Sequence, residues 1–216
     1  MCNLTSMRKS MAEVAAHFGV KVPTFSNAPE EAYPGTPGVV VREEAGERVM
    51  QSMTWGFPLR LKGMSPTARP KPINNIADIQ KSFWRGLAAK TQWRCLIPLT
   101  AFAESEGPKG AKTRTWFNVK DQPIFAAAGL WRVSDEWGPV YSMVMTDCNE
   151  AIRPVHDRMP ALLAPEEYGR WLHGDFDEAI AFQERCFPDD LIEMSRTDER
   201  WVTRKAPGAA SPAPGA

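Results

Sequence analysis

The chain has 216 residues, 43% of them hydrophobic and 24% charged, and its formal net charge at pH 7 is zero. This length supports one domain with a real core, and the composition is that of an ordinary soluble globular protein. The sequence lacks both the run of roughly 18 apolar residues that a membrane-spanning helix needs and the pattern of a secretory signal. We therefore expect a cytoplasmic protein with no membrane partner.

The apolar spacing of the first half predicts, in chain order, a helix over 10–20, an irregular segment over 22–38, a hairpin of strands 39–42 and 48–53, a basic loop over 60–74 and a helix over 78–89. The second half predicts strands over 94–104, 115–119, 124–131 and 140–146, then helices over 165–173 and 176–187. Seven or eight strands with helices at the edges indicate a single α+β domain over 1–204, built on a mainly antiparallel, barrel-like sheet. Residues 205–216 are rich in Ala, Pro and Gly, which predicts a disordered tail.

Charge is distributed unevenly along the chain. Residues 51–120 contain 12 Lys or Arg against three acidic residues, a net charge of +9, whereas residues 121–216 carry −8. A basic segment of this kind can concentrate positive potential on one face, as nucleic-acid-binding proteins do. The alternative is a mixed surface with its cations scattered around it.

The cysteines and histidines exclude some classes of site. The four cysteines are widely spaced with no C-x-x-C pair, so we expect free thiols. The three histidines lack the spacing of helical metal ligands. We expect no metal and no cofactor.

Cys2 is the first candidate catalytic residue. The small side chain of Cys2 favours removal of Met1, which leaves a cysteine with a free α-amine. An α-amine titrates at about 7.7–8.0, against about 10.4 for lysine, so part of it is nucleophilic at neutral pH. The amine can attack an aldehyde to form a Schiff base, and the thiol can then close a thiazolidine ring. The alternative is a cysteine with no chemical role.

Three further positions are candidates, each with an alternative. His156 lies in a loop or at a strand start, where it could exchange protons at neutral pH or only form local hydrogen bonds. Glu104 ends an apolar strand, where it could be buried with a raised pKa or lie in solvent. Asn74 and Asn75 could place an amide near a ligand or cap the next helix.

These pieces belong to a longer ordered set: MCNL at 1–4, WG at 55–56, Asn75 nine residues before Trp84, RCLIP at 94–98, FAE at 102–104, AGLW at 128–131, Thr146 and HDRMP at 156–160. In this order they resemble the SOS-response-associated peptidase (SRAP) family, the abasic-site processing proteins, from Cys2 to about residue 172. The resemblance implies the SRAP fold and binding of single-stranded DNA and 3′-overhang junctions. It also implies capture of the ring-opened aldehyde of an abasic site as a thiazolidine on Cys2.

The resemblance also implies roles for individual residues. Glu104 is the proton shuttle, His156 assists sugar ring opening and reversal, and Asn75 holds the cysteine. The peptidase activity is removal of the residue before the cysteine, here Met1. One position departs from the family pattern: Ala77 replaces an arginine that grips a DNA phosphate, which predicts a lower affinity and a smaller salt dependence.

The residues expected to contact DNA are Arg60, Lys71, Lys81, Arg85, Trp55 and Arg158. The expected partner is single-stranded DNA with abasic sites, bound by a monomer that associates with the nucleoid when engaged. Two other functions stay open. One is an N-terminal-nucleophile hydrolase, which would turn over small amides without DNA. The other is a non-catalytic single-strand-binding module, which would bind DNA in a salt-sensitive way without forming an adduct.

Overall fold

The structure, a computed structural model, describes residues 2–23, 29–65 and 67–201. Met1 and the predicted tail over 205–216 lie outside the described residues. Within them the chain forms one α+β domain, as predicted. Its helices are α1 (Met11–Phe18), α2 (Ser82–Ala88), α3 (Tyr168–His173) and α4 (Phe176–Glu184), with short 3-10 turns at Thr91–Trp93, Pro165–Glu167 and Asp189–Leu191. No helix of the described part is long and apolar enough to span a membrane.

The strands of the described residues are β1 (Leu4–Ser6), β2 (Glu31–Ala32), β3 (Pro37–Glu44), β4 (Glu47–Trp55), β5 (Phe57–Leu59), β6 (Lys71–Ile73), β7 (Asn75–Ile76), β8 (Arg94–Leu99), β9 (Ala101–Glu106), β10 (Thr113–Val119), β11 (Phe125–Ser134), β12 (Gly138–Asp147), β13 (Arg158–Pro160), β14 (Leu162–Leu163) and β15 (Ile192–Arg200). One sheet has the order β15-β10-β9-β1-β2. The larger sheet has the order β13-β12-β4-β3-β8-β11-β14, and β5 pairs separately with β6.

The larger sheet closes on itself. Strand β12 pairs with β4 on one side and with β11 on the other, so β12, β4, β3, β8 and β11 form a ring. The predicted barrel-like sheet is therefore confirmed. It is mainly antiparallel, but β12 runs parallel to both β4 and β7.

Ring strands β8, β11 and β12 are buried on both faces along most of their length, which explains their near-continuous apolar sequences. Residues of one parity, such as Val41, Leu96 and Ala128, pack with the apolar faces of the helices. Residues of the other parity, such as Val40 and Ile97, pack with side chains of the smaller sheet. Successive strand residues point to opposite faces, so this division follows from the period of two. The helices and the smaller sheet thus cover opposite faces of the ring strands.

A buried arginine joins the helices to the ring. Arg94, at the start of β8, is only 1% exposed. Its guanidinium donates hydrogen bonds to four backbone carbonyl oxygens, those of Ala88, Trp171, Gly174 and Asp175, at 2.8–3.0 Å. These carbonyls lie at the ends of α2 and α3 and at the N-cap of α4, so one side chain fixes these helix termini against the same strand.

Several predicted elements differ from the structure. The predicted strand over 94–104 is two strands, β8 and β9, which lie in different sheets, and the segment predicted to be irregular over 22–38 contains β2. Helix α2 begins at Ser82 and not at 78, because Asp78 accepts a hydrogen bond from the backbone N–H of Gln80 in a turn. The predicted loop over 60–74 contains β6, which pairs with β5. Strand β15 was not predicted, since its sequence is largely exposed and charged with little apolar alternation.

Candidate active site

Cys2 lies two residues before β1, the strand between β9 and β2 in the smaller sheet. Its side chain is fully buried, and the thiol donates a hydrogen bond to the carbonyl oxygen of Leu4 at 3.6 Å. Burial raises the pKa of the thiol above its ordinary value, and the nearby charge of Glu104 raises it further. The thiol in this position is therefore neutral at pH 7.

Two asparagine side chains hold the main chain at Cys2. The Asn75 amide donates to the Cys2 carbonyl oxygen at 2.7 Å, and the Asn74 amide donates to the same oxygen at 3.1 Å. Asn74 also donates to Oδ1 of Asn3 at 2.9 Å. Asn75 begins β7 beside β12, and neither asparagine caps α2, whose N-cap residue is Lys81.

The alternative helix-cap interpretation of the asparagines is therefore wrong. Both asparagines were candidates from the sequence, but the role of holding the cysteine was expected of Asn75 alone. Neighbouring residues of an extended chain normally point to opposite sides. Both reach the same oxygen here because the chain is irregular at Asn74, between β6 and β7.

Glu104 enters the site from β9. The antiparallel register pairs Leu4 with Ala103, so the next residue of β9 lies beside the segment that begins with Cys2. Glu104 is only 2% exposed, which confirms the expected burial. Burial raises its pKa to about 7, and the charge of Asp157 acts in the same direction. A carboxyl group with this pKa can both give and accept a proton at neutral pH.

His156 approaches from the loop before β13, with Nε2 at 4.0 Å from Oε2 of Glu104. Its Nδ1 accepts a hydrogen bond from the backbone N–H of Arg158 at 3.0 Å, which leaves the proton of the neutral ring on Nε2, facing Glu104. Oδ1 of the 87% exposed Asp157 lies 2.9 Å from the same Nδ1, a contact that suits the doubly protonated ring. Burial lowers the pKa of His156 below its ordinary value.

Two arginines expected at the DNA surface have other partners. The Arg60 guanidinium forms two hydrogen bonds with the carboxylate of Glu136, at 2.9 and 3.3 Å, which neutralise its charge. Arg158 donates to the backbone carbonyl oxygens of Thr146, Met145 and Ala77. It thereby joins the segment that carries His156 to the segment that carries Asn75, which is a positioning role.

The remaining DNA-contact predictions divide in two. Trp55 is fully buried and its indole N–H donates to the carbonyl oxygen of Asn74 at 2.9 Å, so it has no exposed face for a base. The predicted base contact by Trp55 is wrong for this structure, and the side chain instead supports Asn74. Lys71, Lys81 and Arg85 are exposed, and their contacts with DNA remain predictions.

The raised pKa of Glu104 has a consequence for stability. A carboxyl group whose pKa is higher in the folded state stabilises the fold at pH below its ordinary value of about 4.5, and this contribution is lost as the pH rises through about 7. We expect the unfolding free energy of the wild type to fall by roughly 3 kcal/mol relative to Glu104→Gln between pH 4 and 8. Urea unfolding of both proteins across this range measures the difference. A difference that does not change with pH contradicts the prediction.

All four cysteines are free thiols, as expected. Among the described residues, no group of three His, Cys, Asp or Glu side chains could hold a metal ion.

The fold and the site together define a class of protein. It has an enclosed cysteine beside its N-terminus, faced by a carboxyl group that titrates near neutrality, an imidazole and two carboxamides.

The chain belongs to the SOS response associated peptidase (SRAP) family, whose model matches residues 1–199. It is similar to the abasic site processing protein YoqW of Bacillus subtilis (strain 168), with 32% identity over 133 residues. It is also similar to YoaM of the same organism, another abasic site processing protein, with 30% identity over 135 residues. The match with YoqW covers 57% of this chain, which spans 58% of that protein's length.

Solved structures share the fold. A protein from Bordetella bronchiseptica superposes with a TM-score of 0.75 at 24% identity, covering 91% of this chain and 99% of that one. A protein from Bacteroides thetaiotaomicron gives a TM-score of 0.74 at 20% identity, covering 90% of this chain and 91% of the other. At these identities the similarity establishes the architecture alone.

Proposed function

We propose that the chain, after loss of Met1, is an abasic-site processing enzyme. It binds single-stranded DNA and joins its N-terminal cysteine covalently to the ring-opened aldehyde of an abasic site. The observation that carries the proposal is the convergence of four separate chain segments, bearing Cys2, Asn75, Glu104 and His156, on one enclosed site. The names of the relatives YoqW and YoaM support abasic DNA as the substrate.

The covalent step balances without a cofactor. The Cys2 amine attacks the aldehyde carbon, and loss of one water molecule gives an imine. The thiol sulfur then adds to the imine carbon, and the thiol proton is transferred to nitrogen as the thiazolidine ring closes. The product therefore contains protein and DNA minus one water.

The surroundings of Cys2 explain why proton-transfer groups are needed. A thiol with a raised pKa is a weak nucleophile until a base removes its proton. Glu104, with a pKa of about 7, can accept that proton and can also protonate the departing water. His156 has its Nε2 on the Glu104 side and can pass protons to and from the sugar oxygen during ring opening.

The asparagine pair serves as a positioning device. Two amide donors on the Cys2 carbonyl fix the residue from which both nucleophiles project, which lowers the entropic cost of reaching a reactive geometry. The buried Oδ1 of Asn75 has no hydrogen-bond partner among the described residues. It is therefore available to a donor, and the hydroxyl groups of an opened sugar are donors.

The test uses purified protein whose intact mass confirms loss of Met1. It is mixed with a single-stranded oligonucleotide that carries one abasic site. We expect an adduct that survives heating in detergent, with a mass equal to protein plus DNA minus one water. If salt-sensitive binding occurs without an adduct, the non-catalytic module is the better description. Turnover of small amides without DNA would instead favour the hydrolase.

Replacing Glu104 with glutamine should slow adduct formation about 100-fold at pH 7, the usual contribution of a general acid or base. The amide keeps the shape of the side chain and cannot exchange a proton. The wild-type rate should change with an apparent pKa near 7, and this titration should be absent from the variant. Single-turnover rates between pH 5 and 9 measure both effects. Equal rates for the two proteins would remove Glu104 from proton transfer.

A further inference from the structure

A lysine that has no role in the chemistry described so far lies beside the site. Lys112 immediately precedes β10, in the hairpin that joins β9 to β10. Its ammonium donates a hydrogen bond to Oγ of Ser105 at 3.2 Å, and Ser105 directly follows Glu104 in β9. The Lys112 side chain thus extends from the hairpin towards the segment that carries the buried carboxyl group.

The charge of the same ammonium acts on two titratable groups of the site. Burial raises the pKa of Glu104, and the Lys112 charge acts in the opposite direction. Burial lowers the pKa of His156, and the Lys112 charge lowers it further. One cation therefore acts on groups from two different chain segments, and its hydrogen bond to Ser105 places it beside the β9 residue that follows Glu104.

The Lys112 charge is available to a ligand. The residue is exposed, and no carboxylate of the described residues lies within 4.0 Å of its ammonium. Arg60, by contrast, is paired with Glu136. An exposed ammonium without a paired carboxylate can bind an anion without first breaking an ion pair.

The backbone of Lys112 is held in place. Its carbonyl oxygen accepts a hydrogen bond from the backbone N–H of Trp201 at 2.8 Å, at the end of β15. The Arg200 guanidinium also donates to the carbonyl oxygen of Gly110 in the same hairpin, at 3.3 Å. A fixed backbone lowers the entropy lost when the side chain binds a ligand.

We propose that Lys112 is a phosphate-binding residue, and that it contacts the DNA phosphate next to the sugar that reacts at Cys2. The inference rests on the proposed function, since the phosphate belongs to the strand that carries the abasic site. A sugar joined to Cys2 has a phosphate on each side, within one nucleotide of the reacting carbon.

The test compares Lys112→Gln with Lys109→Gln, which removes a lysine from the same hairpin. The adduct-forming rate is measured against the concentration of abasic single-stranded DNA at several salt concentrations. For Lys112→Gln we expect the half-maximal concentration to rise roughly fivefold, as one charged contact is lost. The slope of log affinity against log salt should become shallower by about 0.7, the contribution of one phosphate on a single strand.

Two control variants test whether the effect is specific to the charge of Lys112. Lys109→Gln should keep the wild-type slope, and Lys112→Arg should restore it because the charge is retained. An unchanged slope in Lys112→Gln would overturn the proposal. So would an effect confined to the maximal rate and its pH profile, because Lys112 would then act only through Glu104 and His156.

Failure of this inference can be told apart from failure of the proposed function. The same variants are titrated with single-stranded DNA that has no abasic site, and binding is followed by fluorescence anisotropy. If the wild type binds this DNA and forms no adduct with abasic DNA, the proposed function fails. The slope of log affinity against log salt then still tests whether Lys112 binds a phosphate. If the wild type forms the adduct and the slopes are equal, the role of Lys112 alone is rejected.

Discussion

Replacing Cys2 with alanine should lower the yield of heat-stable adduct by on the order of 100-fold or more. The variant keeps a small second residue, so Met1 should still be removed and the α-amine should still form an imine with the aldehyde. Without sulfur the imine cannot close into a ring, and it hydrolyses when the sample is heated. Denaturing gels of protein with abasic single-stranded DNA measure the yield.

Reductive trapping separates the two nucleophiles of Cys2. With borohydride present, the imine of the Cys2→Ala variant should be reduced to a stable amine, and the covalent product should reappear. The matched control is Cys186→Ala, which removes an exposed thiol and should retain the wild-type yield. If Cys2→Ala forms the heat-stable adduct as well as the wild type does without reduction, the proposed function is wrong.

Replacing Arg94 with methionine should lower the unfolding free energy by about 4 kcal/mol. Methionine fills much of the same space, but the four carbonyl oxygens that the guanidinium bonds are left without this donor in a buried setting. Each buried polar group without a partner costs about 1–3 kcal/mol, and the costs overlap because the carbonyls can shift together. The shift in the midpoint of urea unfolding measures the lost unfolding free energy, provided that the dependence of this free energy on urea concentration is unchanged.

Arg170→Met is the control for the arginine substitution. Arg170 lies on α3, one of the helices whose carbonyl oxygens Arg94 bonds, and its side chain is 62% exposed and paired with Glu178 at 3.3 Å. A surface ion pair of this kind contributes about 0–1 kcal/mol, so this variant should remain close to the wild type. A loss below 1 kcal/mol for Arg94→Met would show that the four carbonyls find other donors, and that the arginine does not fix the helix termini.

The arrangement of the ring strands could be predicted in part from the sequence. Segments such as 94–99 and 140–146 are apolar at both parities, which indicates strands covered on two faces, and the structure places them in the ring. Strand β15 could not be predicted in this way, because one edge and one face of it are solvated and its sequence has no apolar pattern. Closure of the ring could not be predicted from the sequence either, because it depends on a parallel pairing between β12 and β4, which are far apart along the chain.

By itself, the sequence determined which residue types were available for the chemistry. The amine and thiol of Cys2 are a local property of one residue, and the apolar segment before Glu104 made burial one of two alternatives for its carboxyl group, which the structure shows to be buried. The order of Asn75, Glu104 and His156 along the chain also carried the family resemblance.

Only the tertiary structure decided which polar side chains face the cysteine and which are used elsewhere. Asn74 joined the site because of a local irregularity, whereas Trp55 became an internal support and Arg158 a link between two segments. A donor's partner depends on which carbonyls and carboxylates the fold brings within about 3 Å, and this information is long-range. Lys112 lies beside the site for the same reason, because the β9–β10 hairpin returns it to the strand that carries Glu104.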